Sequence, residues 1–183
     1  DYKDQLYHAW VNLRDILAHQ WDGKPYVHPT KQRTYTIDVP PDKWPTILHR
    51  VAGIHLRNRQ MTLDGEPVPS IVPGLVIHAV LNFDAQKKNG SGIYYYIPKL
   101  ETWQEARLVG TLLKRLEEAI GVTRGTLKVK LLNERAEFVL QQDAIMWVLR
   151  ENMIGPNAGR WDYINSREEM FRLHARMVAP LRD

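Results

Sequence analysis

The sequence predicts an α/β fold of parallel strand–helix–strand units with roughly four or five strands, about half of an eight-stranded barrel. Three observations carry that expectation. Short β-rich or alternating segments are separated by long amphipathic stretches, which is the pattern of βαβ units. The 183 residues fall short of the roughly 250 that a complete eight-stranded α/β barrel takes. No linker, repeat or low-complexity segment divides the chain, so residues 1–183 read as one domain.

Leu6, Ala9, Trp10, Leu13, Ile16 and Leu17 recur at three- and four-residue steps, which predicts an amphipathic helix over residues 4–20. Asp22-Gly23-Lys24-Pro25 stops it. Residues 34–39 read as a short strand that Pro40-Pro41 closes, and Thr46-Ile47-Leu48 as another that leads into Arg50. Asp64-Gly65-Glu66-Pro67 is a turn by composition. A helix is expected over residues 73–87, with Pro73 in its first turn. The loop Asn89-Gly90-Ser91-Gly92 precedes a strand over residues 93–97, whose tyrosines read as core packing. Trp103, Ala106, Val109, Leu112, Leu113, Leu116 and Ile120 stripe one long helix, capped by Thr102 with Glu105 and stopped by Gly121. Leu127, Val129 and Leu131 alternate with polar neighbours in a strand over residues 127–132. A helix over residues 142–153, a short strand-like segment at 155–163 and a last helix over 166–177 complete the reading.

Composition limits the function. Apolar residues make up 44% and charged residues 25%, ordinary for a globular protein. Cysteine is absent, which rules out disulfides and thiolate metal sites and fits a reducing compartment. No apolar run approaches the roughly 18 residues of a membrane span, and the opening residues lack the pattern of a signal peptide; no membrane partner is expected. The net charge of +4, from 25 basic and 21 acidic residues, suits anionic substrates. Its charges are dispersed, so no nucleic-acid partner is expected.

The chemistry concentrates near the end of the 127–132 strand. Glu134 stands where strand gives way to loop, and the next strand-like segment delivers Gly159, Arg160, Trp161 and Asp162. Glu134 and Asp162 are 28 residues apart, the length of one strand–helix–strand unit of about 30 residues. Carboxylates at adjacent strand ends hold a hard cation such as Mg²⁺, so their carboxyl groups are expected within about 6 Å of each other. Arg50, by pattern alone, reads as a rim arginine in a salt bridge.

Several motifs then agree in order and approximate spacing: Asn12-Leu13-Arg14-Asp15, Arg50-Val51-Ala52-Gly53-Ile54-His55-Leu56, Asp64-Gly65-Glu66-Pro67-Val68, Ile97-Pro98-Lys99-Leu100-Glu101, Glu105-Ala106-Arg107-Leu108, Gly121-Val122-Thr123-Arg124-Gly125-Thr126-Leu127-Lys128, Glu134, and Asn157-Ala158-Gly159-Arg160-Trp161-Asp162-Tyr163. Together they closely resemble the A-type malate synthase family. The resemblance implies a (β/α)8 TIM barrel of which this chain is a central portion, incomplete at both ends. It implies a Mg²⁺-dependent acyltransferase of the glyoxylate cycle that condenses acetyl-CoA with glyoxylate and hydrolyses the product to malate and CoA. Glu134 and Asp162 resemble the metal ligands. Arg50 resembles the catalytic arginine that contacts glyoxylate and stabilises the acetyl-CoA enolate, which reverses its reading as a rim residue. Gly159, Arg160 and Trp161 resemble the segment whose backbone N–H groups hold the glyoxylate carboxylate. The implied compartment is the cytoplasm, or the peroxisome or glyoxysome in a eukaryote.

Departures from the family pattern are Val51-Ala52 and Ile54 in the arginine motif, and Asn133 and Arg135 around Glu134. The family's catalytic base is an aspartate beyond the Arg160-Trp161-Asp162-Tyr163 segment, and Asp143 and Asp183 stand in the wrong context to replace it. The alternative expectation is therefore a non-catalytic barrel remnant that binds Mg²⁺ and a small keto acid or a partner chain. A half barrel leaves open sheet edges, so the chain is expected either to associate with another chain that covers them or to be marginally stable alone.

Overall fold

The computed structural model describes residues 2–20 and 25–174. Its centre is a four-stranded, all-parallel sheet in the order β3 (His49–Arg50), β6 (Tyr94–Ile97), β7 (Lys128–Asn133), β8 (Met153–Ala158). Between these strands run α2 (Ile71–Lys88), α3 (Trp103–Ala119), and the pair α4 (Ala136–Leu140) and α5 (Gln142–Leu149), with α6 (Arg160–Phe171) following β8. Each crossover carries a helix, as parallel pairing requires. The four strands form an open sheet, half of what an eight-stranded barrel needs, and β3 and β8 are its edges.

Two-residue alternation decides which side chains the helices cover. Tyr95 and Ile97 of β6 and Val129 and Leu131 of β7 are fully buried, and they join one cluster with Leu75 and Ala79 of α2, Val109 and Leu113 of α3, and Ile145 and Leu149 of α5. The Tyr95 hydroxyl donates to the Leu75 carbonyl at 2.7 Å, which satisfies its polar end in the core. Tyr94 and Tyr96 point to the opposite face and are only half-buried. Thr102 and Glu105 form the expected capping box at the start of α3.

A buried carboxylate locks the entry to β7. Glu117 of α3, 1% exposed, accepts from the backbone N–H groups of Gly125 and Leu127 at 3.0 Å, from Asn152 Nδ2 at 2.8 Å and from Arg124 at 3.0 Å. Gly125 has φ +85°, and a Cβ there would lie 2.6 Å from the Glu151 carbonyl oxygen, so only glycine fits the turn. β7 therefore starts in a fixed place, and so does the residue that follows its end.

Several expectations need correction. The short strand over 34–39 reduces to β2 (Thr34–Tyr35), paired with β1 (Tyr26–Val27) in a separate two-stranded ribbon and not in the main sheet. The strand expected at Thr46-Ile47-Leu48 forms later, at His49–Arg50, because His49 and Arg50 take the register opposite Tyr95 and Tyr96. A hairpin of β4 (Arg57–Leu63) and β5 (Glu66–Pro69) surrounds the expected turn. Its two central residues, Asp64 and Gly65, have φ +53° and +84°, as a primed hairpin turn requires. The first helix is α1 (Tyr2–Leu17), and a 3-10 turn, η1, spans Pro41–Lys43. The helix expected over 142–153 ends at Leu149, and β8 begins at Met153. The last helix begins at Arg160, six residues before the expected start at Ser166; residues 175–177 of that expected helix lie outside the described residues. No helix among the described residues is long and apolar enough to cross a membrane.

Candidate active site

The C-terminal ends of the parallel strands converge on one cluster of charge. Glu134 follows β7 directly and is 2% exposed. Two bonds fix it relative to α6: the Gly159 N–H donates to the Asn133 carbonyl at 2.9 Å, and the Ala136 N–H donates to Ser166 Oγ at 3.0 Å. Asp162 sits in the first turn of α6, half-exposed. This corrects the expectation that it lies at a strand end: β8 stops at Ala158, and Gly159 is the N-cap residue. The two carboxyl groups nevertheless meet at one ammonium, that of Lys99.

Lys99 lies between them. Its ammonium is 2.6 Å from Asp162 Oδ1 and 3.8 Å from Glu134 Oε1, and its backbone N–H donates to Glu134 Oε1 at 2.9 Å. To deliver both, Lys99 adopts φ +60°, a left-handed conformation that a non-glycine residue rarely takes. The surroundings split the two acids. Burial pushes the Glu134 carboxyl up, against the Lys99 N–H, and the neighbouring Asp162 carboxyl adds to the rise. The Lys99 ammonium, and then Glu134, hold Asp162 below the usual carboxylate range.

Arg50 ends β3, two strands from Glu134, and its side chain is exposed. It is close enough to contribute to the lowering of Asp162 and to oppose the upward shift that burial imposes on Tyr96. Among the described residues no salt bridge is recorded for Arg50, so the rim-pairing reading has no counterpart. Tyr96 itself corrects the view that the tyrosine strand is all core: Tyr95 is, but the Tyr96 phenol faces the charged cluster, where Glu134 adds to its upward shift.

The Gly159–Trp161 segment forms the start of α6. The Trp161 ring is 66% exposed, and the Arg160 guanidinium lies over it at 4.6 Å. The first-turn N–H groups of α6 point along the helix axis toward its start, a ready position for an anion. A Cβ at Gly159 would fall 2.6 Å from Glu134 Cβ and 3.1 Å from its Oε2, so glycine is what lets α6 begin against the acid. A cleft of about 410 Å³ opens beside the pair, lined by His55, Lys99, Glu101, Arg135, Asp162 and Glu169 among others. A larger cavity, about 520 Å³, lies by Trp44 and Tyr94, at the other end of β6 and away from the acids.

Glu134 and Asp162 thus meet at the Lys99 ammonium, with Gly159 closely packed against Glu134, while Arg50 ends β3 two strands away and lines a separate small cavity with His49 and Leu56. Sequence reasoning missed the roles of Lys99 and Tyr96. The signal available was their position, since Lys99 follows the same strand's Pro98 and Tyr96 alternates out of register with buried Tyr95 and Ile97.

Comparisons with known proteins identify the family. Residues 46–183 match the family model described as malate synthase, TIM barrel domain. Malate synthase A of Escherichia coli (strain K12) is 31% identical over 187 residues, covering 98% of this chain and 34% of that protein. The glyoxysomal malate synthase of Candida tropicalis is 32% identical over 186 residues, covering 98% of this chain and 33% of that protein. The glyoxysomal malate synthase of Cucurbita maxima is 31% identical over 191 residues, again across 98% of this chain and 32% of its own length. The chain spans about a third of the length of these curated relatives. With the family model covering most of its residues and its parallel strands in place, this chain belongs to the malate synthase TIM-barrel family.

Proposed function

We propose that the chain supplies the cation and keto-acid part of a malate synthase, which condenses acetyl-CoA with glyoxylate and releases malate and CoA in the glyoxylate cycle. The observation that carries this reading is the convergence of Glu134 and Asp162 on one ammonium at the C-terminal end of the parallel strands, beside the start of α6. The donor set fits Mg²⁺: two carboxylates gathered around one ammonium, one of them buried, leaving positions for water and ligand. Glu134 and Asp162 would hold the ion, and when bound it polarises an aldehyde oxygen as a Lewis acid. The N–H groups of the Gly159–Trp161 segment bind and orient the glyoxylate carboxylate. Arg50, with its planar guanidinium, stabilises the developing enolate oxygen, a contribution on the order of 10²–10³ in rate. The relatives in Candida tropicalis and Cucurbita maxima are named glyoxysomal; for this chain we propose the cytoplasm, or the glyoxysome in a eukaryote.

The proton of the acetyl methyl group must go to a base. In the family the base is an aspartate beyond the Arg160-Trp161-Asp162-Tyr163 segment; here the carboxylates that line the cleft beside the pair are, besides Asp162, the glutamates Glu101, Glu105 and Glu169. The same observation favours a second reading, a barrel portion that binds Mg²⁺ and a keto acid, or a partner chain, without turnover. Free-thiol release from acetyl-CoA, measured with glyoxylate and Mg²⁺, separates the two. Glyoxylate-dependent release that Glu134→Gln abolishes supports the enzyme. No release, together with retained Mg²⁺-dependent glyoxylate binding, supports the binding module. Absence of both would refute the site.

A further inference from the structure

The Glu134–Asp162 pair already has a cation, and it belongs to the chain. Lys99 reaches both acids with one ammonium and holds Glu134 with its own N–H, from a backbone twisted to φ +60°. Its stem passes Gly53, where a Cβ would stand 3.6 Å from Lys99 Cγ and 2.6 Å from the His55 ring, so a glycine keeps that side open. Glu134 is buried, and burying a carboxylate beside a second one is costly unless a positive charge is near. A divalent ion entering between the same oxygens meets the ammonium in its place, and the two positive charges repel at short range.

We infer that Lys99 is the resident counter-ion of the Glu134–Asp162 pair, a positioning residue that neutralises the acids when no metal is bound and is displaced from Asp162 when a divalent cation enters. The inference rests on the reading of this pair as a Mg²⁺ site. It has two consequences. Without metal, Lys99 stabilises the local fold; with metal, it competes, so removing its charge tightens cation binding. Coupling between two mutually exclusive ligands of this kind is worth on the order of 10-fold in affinity.

The test uses the whole 183-residue chain and compares wild type with Lys99→Met, which keeps the stem and the backbone demand, and Lys99→Arg, which keeps the charge. Thermal unfolding is followed in EDTA and in Mg²⁺, and Mg²⁺ affinity is measured by calorimetry. Lys99→Met should unfold at lower temperature than wild type in EDTA, gain more from Mg²⁺, and bind Mg²⁺ on the order of 10-fold more tightly. Lys99→Arg should behave like wild type in EDTA, and the double variant Lys99→Met with Asp162→Asn should recover the stability lost. Equal stability of Lys99→Met and wild type in EDTA, no recovery in the double variant, or weaker Mg²⁺ binding by Lys99→Met would overturn the inference. If Lys99→Met is labile in EDTA but Mg²⁺ stabilises neither protein, the metal reading of the pair fails and displacement fails with it, while the measured lability keeps that outcome distinct from the others.

Discussion

Gly159→Ala adds one methyl group at the point where α6 starts against Glu134. The new Cβ would sit 2.6 Å from Glu134 Cβ and 3.1 Å from Oε2, whereas carbon atoms pack at about 3.5–4.0 Å. Glu134 Cβ is bonded to the backbone, so the strain cannot be released by swinging a flexible tip; either β7's end or the start of α6 moves by about 1 Å. Overpacking of this kind costs about 1–3 kcal/mol, or roughly 2–10 °C in unfolding temperature for a chain of this size. Mg²⁺ demands near-octahedral oxygens at about 2.0–2.1 Å, so a displaced ligand should weaken Mg²⁺ binding, and a misplacement of about 1 Å can lower turnover by about 100-fold. φ at Gly159 is −84°, which alanine accepts, so the backbone contributes no strain of its own. Capping is the competing cause, because alanine is a poor N-cap. Gly159→Ser separates them: serine caps well but carries the same Cβ. Urea unfolding and Mg²⁺ calorimetry on both variants are the assay. Both should lose stability and Mg²⁺ affinity. A serine variant with wild-type behaviour would refute the steric account, as would an alanine variant that unfolds and binds like wild type.

Three further outcomes follow from the same structure. Glu117→Ala strands the Gly125 and Leu127 N–H groups and Asn152 Nδ2 in the core and should cost about 3–5 kcal/mol in urea unfolding, whereas Glu117→Gln keeps an acceptor for them and should cost less than half of that. Burial, and then the His49 charge, hold His78 down to about 3; the unfolded chain takes up that proton near pH 6.5, so the stability present above that pH falls as pH drops through the window between them. The loss from His78 should be about 2 kcal/mol at pH 5, with His49, lowered by burial to about 4, adding to it, and His78→Gln should flatten the profile measured by urea unfolding. Arg50→Lys replaces a planar fork by a point charge and should remove most glyoxylate-dependent turnover in a polypeptide that carries the base; undiminished turnover would return Arg50 to a rim role.

Strong periodicity made the centre of the fold legible. The α3 stripe, the Thr102–Glu105 capping box and the alternation of β7 are local patterns, and each formed where the residues indicate. The meeting of Glu134 and Asp162 followed from the length of one strand–helix–strand unit, even though Asp162 arrives on a helix. That helix start was illegible by apolar pattern because the Trp161 ring and much of the Tyr163 surface face solvent. The placement of β3 depends on pairing with Tyr95 and Tyr96 far along the chain, which no local window contains. The hairpin around Asp64-Gly65 was within reach, since that dipeptide is a strong signal for a two-residue turn; the flanking strands are mostly exposed and lack an apolar face to mark them. Lys99 was hidden for a different reason: its reach between the acids depends on a left-handed backbone that a lysine does not advertise.

The central claim is that Glu134 and Asp162 hold one divalent cation against which a keto acid binds. Calorimetric titration of Mg²⁺, followed by glyoxylate, tests it on wild type, Glu134→Gln and Asp162→Asn. One Mg²⁺ should bind wild type, glyoxylate should bind only once Mg²⁺ is present, and both variants should lose the two together. Glyoxylate binding that ignores Mg²⁺, or Mg²⁺ binding that survives the loss of either carboxylate unchanged, would contradict the account.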